Sequence, residues 1–157
     1  MFAPTELMRL AIDKAREGIA AGQSPFGCAI AWRDDLVSVA HNEVLATTDI
    51  TSHAEMVAIR RACQQLSRIH LTDCVVATTC EPCPMCLSAL HWARVRRVYY
   101  GATIADAAVA GFNELQVPAA ELARLGGSRL ELTGDVLPQE CRQLFVEFAA
   151  RPGRRVY

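Results

Sequence analysis

The sequence predicts an α/β protein, one sheet layered with helices, and two observations carry that reading. Apolar residues recur at helical spacing in some stretches and gather into short β-branched runs in others. Between residues 73 and 102 a strand, a helix and a second strand follow one another with short joints, which implies parallel pairing through a right-handed crossover. The 157 residues suit one domain, and 52% hydrophobic with 21% charged content is the balance of a soluble globular chain.

The first helix rests on Leu7, Leu10, Ala11, Ala15 and Ile19, with Thr5 as its cap after Pro4 and Gly22 as its end. "FGCAIAW" and "LVSVAHN" read as two strands joined at "RDD", a hairpin turn without the favoured glycine. "TSHAEMVAIRRACQQL" is a second helix capped by Thr51 or Ser52, and Ser52 with Glu55 has the spacing of a capping box. "DCVVATT" reads as a buried strand, "PMCLSALHWAR" as a helix and "RRVYYGA" as the next strand. From Asp106 to Ala119 no period is clear. A short helix near Ala120 to Leu125, a strand at "SRLELTG" and a last helix from Pro138 to about Phe148 complete a single predicted domain, 1–157.

A net charge of -1 gives no overall field to attract a nucleic-acid backbone. No apolar run approaches the length needed to cross a bilayer, and the opening residues carry charges too early for a secretory signal. Seven cysteines, odd in number and clustered, then suit metal binding or catalysis in a reducing compartment better than disulfides. The expected setting is cytoplasmic.

Three of those cysteines fall in "CEPCPMC", residues 80–86. Cys80 ends a strand, and the helix is expected to begin at Pro82 or just after, which puts Cys83 in the first turn and Cys86 on the same face. Helix-start amides favour thiolates there, so Cys83 and Cys86 are the candidate ligands and Cys80 a buried neighbour. Of His41, His53, His70 and His91, only His53 opens a helix as Cys83 does. Two helices starting at one sheet edge would bring His53, Cys83 and Cys86 together, leaving a fourth position open as in catalytic zinc sites. Glu55, two residues on, is placed to reach a metal-bound water without ligating. "HAE" followed by "PCPMC" is the paired signature of zinc deaminases. Plainer readings stand beside it: a redox pair, a closed structural zinc with Cys80 as fourth ligand, and Glu55 as a capping residue. Cys28, Cys63, Cys74 and Cys141 read as small core residues.

With these motifs the sequence resembles the cytidine deaminase-like zinc deaminases, and "TTCEPCPMCLSALHWARVRRVYYGAT", "SPFGCAI", "HN" and "DAAVAGFNE" resemble the bacterial guanine deaminases in particular. The resemblance runs from about Pro25 to Asn113, and the chain closes on Tyr157 as those enzymes close on a tyrosine. It implies a three-layer α/β/α fold with a central mixed five-stranded sheet, a homodimer, and one catalytic Zn2+ per chain on His53, Cys83 and Cys86 with water or hydroxide in the fourth position. It implies Glu55 as proton carrier and Glu114, in the place of an aspartate, as helper of the departing ammonia. It further implies substrate contacts at Asn42, Phe26, Ala54, Trp92 and Tyr157, and a segment of about 138–157 exchanged between subunits as a lid. Four of these have other readings: Asn42 as a turn residue, Phe26 as packing, Trp92 as a dimer contact or packing, and the last residues as a frayed end. The stretch "NELQVPAAEL" departs from the aromatic-rich segment of the guanine deaminases.

The function these features imply is deamination of a free nucleobase, guanine first. Cytosine, ammeline or another triazine, or a nucleoside are alternative rings. A tRNA adenosine deaminase is the rival enzyme, and a zinc-stabilised binding module the rival of a different class.

Overall fold

The structure is a computed structural model, and it describes residues 2–157. Its centre is a five-stranded sheet in the order β2-β1-β3-β4-β5, made of β1 (Gly27–Trp32), β2 (Asp35–His41), β3 (Cys74–Cys80), β4 (Arg97–Ala102) and β5 (Glu131–Thr133). β1 is antiparallel to both β2 and β3, while β3, β4 and β5 run parallel, so the sheet is mixed as expected.

α1 (Pro4–Ala20) and α7 (Pro138–Ala149) cover one face. The buried stripe of α1, Leu7, Met8, Ala11, Ile12, Ala15 and Ile19, meets Ala29, Ala31 and Ala77 of the sheet and Leu144, Phe145 and Phe148 of α7. Small alanines on the strands let the helix approach. Gly27 shows how close: a Cβ there would lie 2.1 Å from the Ala11 carbonyl oxygen. Burial of each large side chain contributes about 1.5–3 kcal/mol. α3 (Ala54–Gln65) and α4 (Pro84–Trp92) cover the other face, where Ala54, Val57, Ala58 and Leu90 pack on Cys28, Ile30, Val76 and Val98. The alternation of Ala29 and Ala31 with Cys28 and Ile30 is the period-two signature of a strand buried on both sides.

Several boundaries differ from those expected. α1 starts at Pro4 with Ala3 as its cap residue, and the Glu6 carboxylate, not Thr5, accepts the Ala3 amide at 2.9 Å. The capping box of Ser52 and Glu55 does not form: His53 is the cap residue of α3, Ser52 bonds Asp49, and Glu55 turns inward. α4 begins at Pro84 with Cys83 as its cap residue, one position later than the first-turn placement. Two short helices went unread, α2 (Val44–Thr47) and α5 (Ile104–Val109), each too short to display a 3.6 period. α6 (Ala119–Leu125) falls where a short helix was expected, whereas β5 is only three residues long. Among the described residues no helix is long and apolar enough to cross a membrane.

Candidate metal centre and active site

The parallel strands β3 and β4 end at one edge of the sheet, and α3 and α4 both start there. Their cap residues, His53 and Cys83, therefore meet: His53 Nδ1 lies 3.7 Å from Cys83 Sγ and 3.6 Å from Cys86 Sγ. The ligand atoms of all three lie within 4.8 Å of one another. Two sulfurs and one imidazole nitrogen at this separation are the donor set zinc favours, with room for a further ligand. The set fits that metal.

Glu55 lies behind the cluster in the first turn of α3 and is buried. Thr78 on β3 donates to its Oε1 at 2.8 Å, and Cys86 Sγ approaches Oε2 at 3.4 Å. Burial, then the Cys83 charge, push the Glu55 carboxyl above the ordinary range. Glu114 faces the cluster across a cavity. Burial and the Cys83 thiolate raise its carboxyl to about 7. That cavity, of about 280 Å³, is lined by Ile50, His53, Tyr157 and the stretches 83–85 and 112–115. Its size is at the small end for ligand pockets and suits one ring system. A larger cavity of about 450 Å³ opens at the opposite sheet edge between Arg94, Arg96 and Arg129, without a ligand cluster or paired carboxylates.

The thiols are electrostatically divided. Cys83 is lowered to about 4, chiefly by a hydrogen bond from Cys86 and, after the opposing cost of burial, by His53. The other six are all raised, Cys141 to about 12. Alkylation of the metal-free protein should therefore label Cys83 at a rate that holds from pH 8 to about 5, because the thiolate persists throughout. The others should slow about tenfold per pH unit as their thiolate fraction falls. Zinc should suppress the Cys83 signal. Peptide mapping by mass spectrometry reads this directly, and a Cys83 profile that falls with the rest would contradict the assignment.

The remaining candidates divide. Asn42 is fully buried; its Oδ1 accepts the Val44 amide at 3.1 Å and its Nδ2 donates to the Tyr157 hydroxyl at 2.5 Å. It is thus a turn residue and a contact to the segment after α7 at once. Tyr157 also lies with its ring 5.9 Å from that of His53 and 5.8 Å from that of Phe112. Phe26 packs edge-on against Phe112, 4.8 Å between centroids, beneath the cluster. The Ala54 side chain is in the core with Val57 and Ala58 rather than on the cavity. Trp92 is not brought to the site at all: it stands 80% exposed at the end of α4, because nine residues of helix carry it away from the Cys83 end. Cys80 is buried beside the cluster with its thiol toward the Thr103 carbonyl at 3.4 Å. Of the cysteines expected in the core, Cys63 is only half-buried. Sequence reasoning missed Thr78 and Phe112; nothing local marks a strand threonine as the partner of a carboxylate 23 residues away.

Fold and site together define the zinc-dependent deaminase class, in which a thiolate-rich metal site is served by a carboxylate that does not ligate. Residues 3–102 match the cytidine and deoxycytidylate deaminase zinc-binding region, and the chain belongs to that family. It is 44% identical over 108 residues to the guanine deaminase of Bacillus subtilis (strain 168), covering 68% of this chain and 69% of that protein. The structure of the guanine deaminase from Nitrosomonas europaea superposes with a TM-score of 0.87 at 28% identity, over 96% of this chain and 87% of that one. The tRNA-specific adenosine deaminase of Aquifex aeolicus (strain VF5) is 37% identical over 95 residues, covering 60% of this chain and 63% of that protein.

Proposed function

We propose that this protein is a zinc-dependent hydrolase that converts guanine and water to xanthine and ammonia. The observation that carries the reading is a two-sulfur, one-imidazole cluster flanked by two carboxylates of raised pKa, Glu114 on the cavity beside it and Glu55 in the small recess that His53 and Cys83 also line. The likeness to two guanine deaminases directs it to guanine. His53, Cys83 and Cys86 would hold one zinc ion per chain, which would supply Lewis acidity and make water acidic enough to react at neutral pH.

The chain's own residues do the rest. Glu55 takes a proton from the attacking water and passes it to the ring nitrogen beside the carbon that bears the amine. Thr78 holds Glu55 Oε1, leaving Oε2 toward the cluster. Glu114, with a carboxyl near 7, keeps a proton available for the departing amine. Asn42 and Phe26 are assigned to the base, with Phe112 and Tyr157 excluding water from above it. Ammonia release from guanine, cytosine, adenine, ammeline and guanosine tests the substrate, and release from none of them would overturn the reading. A salt-sensitive shift with tRNA would move the activity to the tRNA adenosine deaminase alternative.

Because Glu114 serves as an acid, its ionisation with rising pH removes the active form. kcat/KM should decline on the alkaline side, and Glu114→Gln should flatten that limb while lowering the rate about a hundredfold. An unchanged limb in the variant would assign it to another group.

A homodimer accompanies this proposal, supported by Ile50 and Leu115 exposed at the cavity mouth and by Trp92. The segment 138–157 is proposed as the lid, since Tyr157 closes on Asn42 and His53 within one chain. Mixed dimers of Asn42 and Tyr157 variants would show whether a partner supplies it. Seven free cysteines support a reducing, cytoplasmic setting.

A further inference from the structure

Glu81 lies between Cys80 and the Pro82-Cys83 pair, and it is buried without ligating or facing a cation. Its backbone amide bonds the Ala102 carbonyl at 2.8 Å, extending the β3–β4 ladder by one residue. Its side chain leaves the strand and divides. Oε2 accepts the amide of Ile104 at 3.0 Å, and Oε1 accepts the amide of Ala119 at 2.7 Å. These are the first residues of α5 and α6. Both amides belong to the unpaired donors that every helix start leaves over. At α6 the cap residue is Pro118, whose side chain offers no acceptor, so the carboxylate does what the cap residue cannot.

The chain between these two amides carries Phe112, Asn113, Glu114 and Leu115, all on the cavity. Residues 110–118 contain no helix or strand of their own. Thr103 and Asp106 also cap α5, and Phe112 packs on Phe26 and Phe148, but one side chain, joined through a single proline to Cys83, bonds the helix starts on both sides of the segment. We infer that Glu81 is a positioning residue: by tying Ile104 and Ala119 to the strand that carries the metal cluster, it sets where Glu114 stands relative to His53, Cys83 and Cys86. The assignment deepens the deaminase reading and rests on it for the role of Glu114. The tie itself does not depend on any substrate.

Glutamine at position 81 keeps the shape but offers one acceptor oxygen, so its amino group faces a backbone N–H and one tie is lost. Glu81→Gln should retain zinc and fold while kcat falls between about tenfold and a hundredfold, the range for groups that orient a site without joining it. In a Glu114→Gln background the same change should cost less than about twofold, because what it positions is already gone. A purely structural role predicts lost zinc and a loss that multiplies with that of Glu114→Gln, and either result would overturn the inference.

Hydrogen exchange decides the matter independently of turnover. In the wild-type zinc-loaded protein the amides of Ile104 and Ala119 should exchange slowly, and in Glu81→Gln exchange should accelerate through 104–119 while β3 stays protected. Rapid exchange of both amides in the wild type would refute the tie, even if the variant failed to fold. Slow exchange beside an absent guanine activity would leave the tie standing and remove only the substrate.

Discussion

Glu55→Gln lowers guanine turnover by about a thousandfold or more, the upper part of the range for removing a general acid–base, with zinc content unchanged. The reason is positional. Glu55 is too far back to be a member of the ligand cluster, yet its Oε2 lies 3.4 Å from Cys86 Sγ, on the metal's doorstep. Glutamine fills the same volume and still accepts from Thr78, so the loss is one of proton transfer and not of packing. The stability change has the opposite sign. Burial raises the Glu55 carboxyl, so the folded metal-free chain binds its proton over a pH range where the unfolded chain has released it. Stability therefore falls as pH rises through that range, and the uncharged amide escapes the loss. The metal-free variant should melt at the same temperature as the wild type or higher at pH 7 to 8, by calorimetry. Retention of a tenth of the wild-type ammonia release, by contrast, would assign the proton to another group and favour a binding module.

Cys86→Ser removes the metal. Cys86 is fully buried, and its sulfur is the one that faces both His53 and Glu55. Changing a group that merely orients a metal ligand costs about tenfold to a hundredfold in affinity, so replacing a thiolate ligand must cost more than a hundredfold. Competition with a coloured chelator measures it, and activity should fall in parallel. Cys80→Ser is the internal control. Its thiol turns to the Thr103 carbonyl, so zinc affinity should change by no more than a few-fold. Equal losses in the two variants would mean a closed four-ligand structural zinc, and no site for water.

Legibility in the sequence followed sequence distance. "HAE" and "PCPMC" are each one turn of chain, and their spacing already placed His53, Glu55, Cys83 and Cys86 at helix starts. The burial of β3 was readable for the same local reason, from the apolar run "DCVVATT". Glu114 and Asn42 entered through resemblance, since nothing in "AGFNE" or "HNE" marks a cavity by itself. The expected capping box of Ser52 and Glu55 failed because the Ser52 amide and hydroxyl both donate to Asp49 while Thr78, distant in sequence, donates to the Glu55 carboxylate.

What the sequence by itself determined was the five strands, the longer helices and the chemistry of the two motifs, because capping, periodicity and ligand spacing act over one to four residues. Only the tertiary structure decided that Thr78 holds Glu55, that Tyr157 meets Asn42 from 115 positions away, that Glu81 ties two helix starts, and that Trp92 stands in solvent. Those contacts depend on the strand order β2-β1-β3-β4-β5, which brings distant segments to one edge. A hydrogen bond between residues far apart leaves no periodic trace in either segment, and the packed sheet is what makes them neighbours.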